Sequence, residues 1–306
     1  MAHTQTWIRR PPFDFVTLAI RAIAIGFFVA LLAVLGLWLQ QAWPAISATG
    51  HHLLTGGEWF YRDHEFGAAA MIYGSAVVSI VALLLAAPVA FGAAIFISEY
   101  LPATLRPWVK AAVEFLAAVP SVVYGLLGII FLREWMAERL AAFDPLSGDM
   151  LLTAAVLLAV MILPTVTTFA EDALRAVPGN QRLAARGLAL NRAEVIHRVV
   201  IPQAWPGMIG AAMLGLGRAL GETIAVFLVI GRFDNQLPDG PLDFSLLTEP
   251  GQTLTSKLGG PETHLAMGDP LHWGAMLALG LILLVISAVF VTLGILLRRL
   301  RPHPTP

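Results

Sequence analysis

"MIYGSAVVSIVALLLAAPVAFGAAIFIS" (71–98) runs without a single Asp, Glu, Lys or Arg. At about 1.5 Å of rise per residue, a helix of this length outreaches the roughly 30 Å hydrocarbon core of a bilayer. Composition agrees with a membrane setting. The chain is 58% hydrophobic and 13% charged, with a mean hydropathy of +0.76, whereas soluble domains carry about 25% charged residues. Net charge −1 gives no bulk attraction to nucleic acid, and zero cysteines exclude a disulfide framework, a thiol nucleophile and thiolate metal sites.

Working outward, five further apolar stretches are long enough to cross, near 15–39, 111–132, 150–170, 204–231 and 271–297. The expected fold is therefore an all-α integral membrane protein of six transmembrane helices. Arg21 lies near one end of the first span and Glu114 in the first turn of the third, where both can snorkel to the interface. The first stretch follows Arg9 and Arg10 but is longer than a signal-peptide core of roughly 7–15 residues, so it reads as an uncleaved helix.

Basic residues of short loops stay on the cytoplasmic side. One side collects Arg9, Arg10, Arg106, Lys110, Arg175, Arg182, Arg186, Arg192, Arg198, Arg298, Arg299 and Arg301; the other only Arg62, Arg133, Arg139, Arg232 and Lys257. The split places both termini inside. The outer loops are acidic, with Asp234, Asp239, Asp243 and Glu249 among their residues. Two of them, 41–70 and 232–270, are long, and their Gly, Pro and Asp content suggests turns rather than a folded soluble domain.

The inner loop 171–203 lies around Pro178 and Pro202, which end one helix and permit another to start. Asn191 followed by Glu194 has the spacing of a capping box, predicting a second short helix with Val195, Ile196, Val199 and Val200 on its apolar face. Two short helices with exposed arginines and one apolar side fit either a partner's groove or a headgroup layer.

Some chemistry is absent. The chain's two lysines, Lys110 and Lys257, do not follow a glycine, so there is no phosphate-cradling G-x-x-x-x-G-K-[ST] loop. No helix-phased H-x-x-x-H pair and no G-x-S-x-G occurs, so neither a metal site nor intramembrane hydrolysis is expected.

Only the fifth span carries charges at mid-depth: "GLGRALGETIAV" (215–226) places Arg218 and Glu222 four residues apart. A charge at the bilayer centre costs about 2.5–3.5 kcal/mol on insertion scales, so it faces protein or water. One reading is a self-neutralising ion pair, although arginine before glutamate is the less favourable order at this spacing. The other is an anion contact, because arginine's planar fork matches oxyanions and Glu222 could hold the fork while no anion is bound. Gly215, Gly217 and Gly221 leave room for close helix approach or local unwinding. Thr165, Thr167 and Thr168, with Thr223 beside the pair, could line the same path or act as helix–helix glue.

At these residues a resemblance enters. "LGLGRALGETIAVFLVIG" (214–231), "AVPSVVYGLLG" (118–128), "FGAAAMIYGSAVVSIVALLLAAPVAFGAAIFISEY" (66–100) and "VVIP" (199–202) resemble the permeases of ATP-binding-cassette importers, and among them the PstC-type phosphate permeases. The resemblance implies the type I importer permease fold over 66–297, with an N-terminal helix and external loop over 1–65 and a cytoplasmic tail over 298–306. It implies a bacterial inner-membrane location and a substrate path through Arg218 and Glu222. The implied partners are a second, PstA-type permease, two PstB-type ATPases that hold the ATP and Mg, and an external PstS-type phosphate-binding protein, with no cofactor in this chain. It further implies that Ala184, Ala185, Gly187, Ala189, Asn191 and Pro202 belong to the loop that couples to the ATPase. The family pattern there is Glu-Ala-Ala, three residues, then Gly. This chain has Leu183 for the glutamate and Ala189 for the glycine, with Gly187 two residues early. Other oxyanions, or transport without an ATPase, remain alternatives on physical grounds.

Overall fold

The computed structural model describes residues 15–238 and 245–299. Arg9, Arg10, Asp239, Asp243, Arg301 and most of the expected tail lie outside the described residues.

The long helices are α1 (Phe15–Thr49), α2 (Ala69–Tyr100), α3 (Arg106–Ala118), α4 (Ser121–Arg139), α5 (Leu151–Arg175), α6 (Gly179–Gly187), α7 (Arg192–Gly221), α8 (Ile224–Val229) and α9 (Pro270–Arg299). Among the described residues, five of them are long and apolar enough to span a membrane, and the bent pair α3–α4, taken as one span, makes six. The centre is α5, packed between α2 and α7, while α1 and α9 pair at the side. The α2 surface explains its place. Ala70, Gly74, Val78, Ala82, Ala86, Ala90 and Ala94 recur every fourth residue and are all buried, a row of small side chains that lets two backbones approach closely.

Two expected spans are broken. The third, read as continuous over 111–132, bends by 81° between α3 and α4. Pro120 has no N–H to donate and forces Val119 out of the helical region, to φ −62° and ψ 130°. Glu114 consequently lies well inside α3 rather than in the first turn of a span, and its side is exposed. The fifth span stops at Gly221, Glu222 takes an extended ψ of 122°, and α8 restarts at Ile224. Of the three glycines there, Gly215 serves close approach: a Cβ would sit 2.4 Å from Cγ2 of Val166. Gly217 and Gly221 face open space.

The inner loop forms as expected at its start. α5 ends before Pro178, α6 follows, and Asn191 and Glu194 close a reciprocal capping box. Pro202 stands in the first turn of the α-helical stretch Ile201–Gly221, but no break precedes it. A π segment over Ile196–Val200, closed by Ile201 N–H on the Ile196 carbonyl, carries α7 straight across it.

The turn after α6 resolves the misplaced glycine. Leu190 N–H bonds to the Ala185 carbonyl at 3.4 Å and Ala189 N–H to the Arg186 carbonyl at 2.9 Å, the paired bonds of a Schellman cap. Its left-handed position is Ala189, at φ 62°. Gly187 is simply the last residue of α6.

The long outer loops are more packed than turn composition suggested. A two-stranded hairpin, Trp59–Phe60 with Glu65–Phe66, and the short helices Leu254–Leu258 and Glu262–Ala266 fold against α2 and α9.

An alanine in the left-handed region costs about 1–2 kcal/mol. Ala189→Gly is therefore expected to stabilise the α6–α7 turn by roughly 1 kcal/mol after the extra unfolded-state entropy of glycine. Hydrogen exchange at the amides of Leu188, Ala189 and Leu190 should slow accordingly; unchanged or faster exchange would contradict the assignment of strain.

Candidate functional site

Arg218 lies in the last turn of α7, just before the break at Glu222. One terminal nitrogen donates to Oγ1 of Thr165 on α5 at 2.7 Å, and the other to the carbonyl of Ala117 on α3 at 3.1 Å. That carbonyl is available because α3 ends one residue later, leaving its last carbonyls without intrahelical donors. Three elements thus meet at one guanidinium, and the Pro120 break supplies one of its acceptors.

Glu222 is not among them. Its Oε1 accepts from the backbone N–H of Ala225 at 3.1 Å, turning the carboxylate to the first turn of α8, where unpaired N–H groups and the helix dipole favour an anion. Thr255 Oγ1 donates to the Glu222 carbonyl at 2.8 Å. The side-chain pairing that sequence spacing allowed is absent here, because the helix ends at Gly221 and Glu222 itself leaves it. Among the described residues, no carboxylate lies within ion-pair distance of Arg218. Thr167 bonds its own helix through the Leu163 carbonyl at 2.8 Å, so this bond neither joins two helices nor faces a path. The Thr168 hydroxyl is buried with no partner among the described residues. Thr223 bonds to the Gly221 carbonyl at 3.4 Å in the break itself.

One cluster had no sequence signal. Toward the α6 end of α5, Lys110 of α3 meets Glu171 at 2.9 Å and also Asp172, while Arg175 stands 3.7 Å from Glu171. α3 buries none of its own side chains, so this ion cluster is its polar attachment to α5, and the Arg218 contact attaches it to α7.

Of the coupling-loop residues, Ala185 is buried, whereas Ala184, Gly187, Ala189, Asn191 and Pro202 are exposed. Leu183 and Leu188 are 67% and 78% exposed. They place an apolar surface on α6 where the family pattern has a charge.

At the opposite end, Lys257 is only 2% exposed and meets Asp234 and Glu262 at 2.5 Å each. Its ammonium also sits 5.1 Å from the Trp59 ring centroid. Glu262 further accepts from Trp59 Nε1 at 2.6 Å and contacts His272 Nε2 at 2.9 Å. Burial would raise the Glu262 carboxyl, but the hydrogen bond and charge of Lys257, with Trp59 and His272, outweigh it and hold it below the usual carboxylate range. Beside this knot lies a cavity of about 410 Å³ whose rim includes Arg62, Arg232 and Asp234.

Comparison with known proteins fits this architecture. Residues 86–301 match the family described as "Binding-protein-dependent transport system inner membrane component". The chain is 36% identical over 290 residues to the "Phosphate transport system permease protein PstC" of Mesorhizobium japonicum, covering 90% of this chain and 86% of that one. It is 35% identical to the protein of the same name from Pasteurella multocida, over 90% and 88% of the two chains. Its fold is that of a chain in a bacterial ABC transporter involved in the import of alginate, at TM-score 0.63 and 14% identity, with 95% and 97% of the chains covered. The chain belongs to the binding-protein-dependent transport permeases and has the type I importer permease fold in a multi-pass inner-membrane protein.

The knot generates a prediction. Removing one partner of a buried ion pair costs about 3–5 kcal/mol, because the remaining charges stay buried. Lys257→Met leaves Asp234 and Glu262 without their cation, Glu262 keeping Trp59 and His272, so the purified protein should lose stability by a margin of that order and unfold at lower temperature. Because Glu262 is depressed in the fold, its contribution is present above the unfolded carboxylate value of about 4.3 and is lost as pH falls through the folded one. The wild-type advantage over Lys257→Met should shrink below pH ~4; an advantage that persists undiminished into acid would refute this role for the pair.

Proposed function

We propose that this permease carries inorganic phosphate across the inner membrane by alternating access, as one subunit of an ATP-driven importer. The observation that supports this most is the state of Arg218. A guanidinium at a helix break within the spans has two neutral acceptors, Thr165 and Ala117, and, among the described residues, no counter-ion. A half-buried cation without a carboxylate is a receptive site for an anion, and arginine's fork binds phosphate oxygens in pairs. The names of the two relatives point to phosphate rather than another oxyanion.

In this reading Arg218 is the anion contact. Thr165 holds the fork between turnovers, the partnerless hydroxyl of Thr168 and the Thr223 hydroxyl in the break add polar lining, and Glu222 fixes the geometry of the break. The Ala184–Asn191 surface of α6, with Leu183 and Leu188 exposed, docks on a separate ATPase, which supplies ATP hydrolysis and its Mg. Two PstB-type ATPases, a PstA-type permease and an external PstS-type phosphate-binding protein complete the machine. The α6 loop and both termini face the cytoplasm, following the arginine asymmetry.

Arg218→Gln keeps hydrogen-bonding capacity but removes the cation. Charge-assisted bonds contribute roughly 1.5–3 kcal/mol, so phosphate uptake by the assembled importer should fall at least about ten-fold, with Arg218→Lys recovering part of it. Normal uptake by Arg218→Gln in a complex assembled as well as wild type would make the arginine structural. Orientation is checked separately: single cysteines replacing Arg186 and Met267 in this cysteine-free chain should react with an impermeant maleimide from opposite sides. Reaction of both from one side would overturn the topology.

A further inference from the structure

The end of α2 leaves α-helical register over Phe96–Tyr100, and arginines from three other elements close on it. Arg106, the first residue of α3, donates to the carbonyls of Ile97, Ser98 and Leu101 at 2.9, 2.7 and 3.2 Å. Arg192, the first residue of α7, donates to the Glu99 carbonyl and stands 4.9 Å from the Tyr100 ring centroid. Cations at the negative end of a helix, on carbonyls without helical donors, need no explanation beyond capping.

Glu99 does. A carboxylate at a helix C-terminus is disfavoured by the dipole. Yet here it is nearly buried, accepts from Ser98 Oγ at 3.0 Å, and takes Arg182 on both oxygens at 2.7 Å. Arg182 belongs to α6, and its other nitrogens donate to the Val177 carbonyl beyond α5 and, at 2.6 Å, to Leu174 in its last turn. α6 buries only Ala185, so apolar packing hardly anchors it. The charged contact of Arg182 Nη1 with both Glu99 oxygens is a direct tie from it to α2.

We propose that Glu99 is a positioning residue for energy coupling: through Arg182 it fixes α6 to the end of α2, so that displacement of α6 is delivered to α2. Arg106 on the same segment passes it on to α3, whose far end carries the Ala117 carbonyl held by Arg218. This rests on the reading that α6 is the ATPase-docking helix.

The test uses the whole importer, reconstituted with its binding protein and inorganic phosphate, and reads phosphate moved per ATP hydrolysed. Glu99→Gln should lower that ratio several-fold while the ATPase still co-purifies, and Glu99→Asp, which keeps the charge, should restore much of it. Arg182→Gln should lower it too, and the double variant should be no worse than Arg182→Gln alone, since a shared interaction is lost once. A normal ratio in Glu99→Gln, or additive losses in the double variant, would overturn the proposal. Loss of the ATPase from Glu99→Gln would also overturn it, because the residue would then build the docking surface. Should Glu99→Gln fail to accumulate, Glu99→Asp and Arg182→Gln carry the same comparison. Failure of the wild-type chain to hold an ATPase at all would instead sink the functional reading itself, a separate result.

Discussion

A guanidinium in a span must be given acceptors without water, and the arrangement around Arg218 follows from that constraint. An unbroken helix keeps its carbonyls to itself, and a bilayer offers no substitute. Ending α3 at Ala118 frees the carbonyl of Ala117, and one turn of α5 presents the Thr165 hydroxyl beside it. Breaking α7 from α8 at Glu222 likewise frees backbone N–H groups, which the Glu222 carboxylate satisfies at Ala225. The two breaks divide the two charges between them: each charge meets the backbone groups that the other could not serve. Pro120 and the unwound Glu222–Thr223 step are therefore parts of the site rather than flaws in two spans.

Lys257, buried, and Arg218, half-buried, make an instructive pair. Lys257 sits among Asp234, Glu262, Trp59 and His272. Its charge is neutralised, and its effect is to join segments far apart in sequence: the hairpin, the stretch after α8 and the start of α9. Arg218 receives only dipoles, so it ties three helices while remaining electrostatically open. Lys257 is held by carboxylates, whereas Arg218 has none beside it among the described residues.

The membrane class, the position of the spans, the Asn191–Glu194 cap and the apolar face at Val195, Ile196 and Val200 were legible in the sequence, because apolar run length and capping spacing are local properties. The breaks were less so. Pro120 was visible, but hydropathy over 111–132 registers composition and not which carbonyls lose their donors. Pro202 carried the opposite lesson: a π segment before it let the helix continue. Ala189 showed that a turn can keep its left-handed residue when glycine is missing. Arg218 was found by its cost in the bilayer, but its partner was misjudged, because a four-residue spacing predicts a pair only while the helix stays intact. Glu99, Lys110 and Glu171 gave no signal, since their partners lie far away in sequence.

The row of small residues on α2 bears on how the two ends communicate. Ala70 to Ala94 bring α2 close to its neighbours along a smooth face, with few bulky side chains to interlock. Van der Waals contact along such a face holds distance well and axial position poorly. Axial position must then be set at the ends, by directional bonds. At one end the Ser75 hydroxyl receives the N–H of Leu254 at 2.8 Å, which ties α2 to the same loop that holds Lys257. At the other, Arg106, Arg182 and Arg192 grip Phe96–Tyr100 and Leu101. A smooth shaft fixed by polar contacts at both ends transmits displacement between them, and those contacts, rather than the alanines, decide what moves with it.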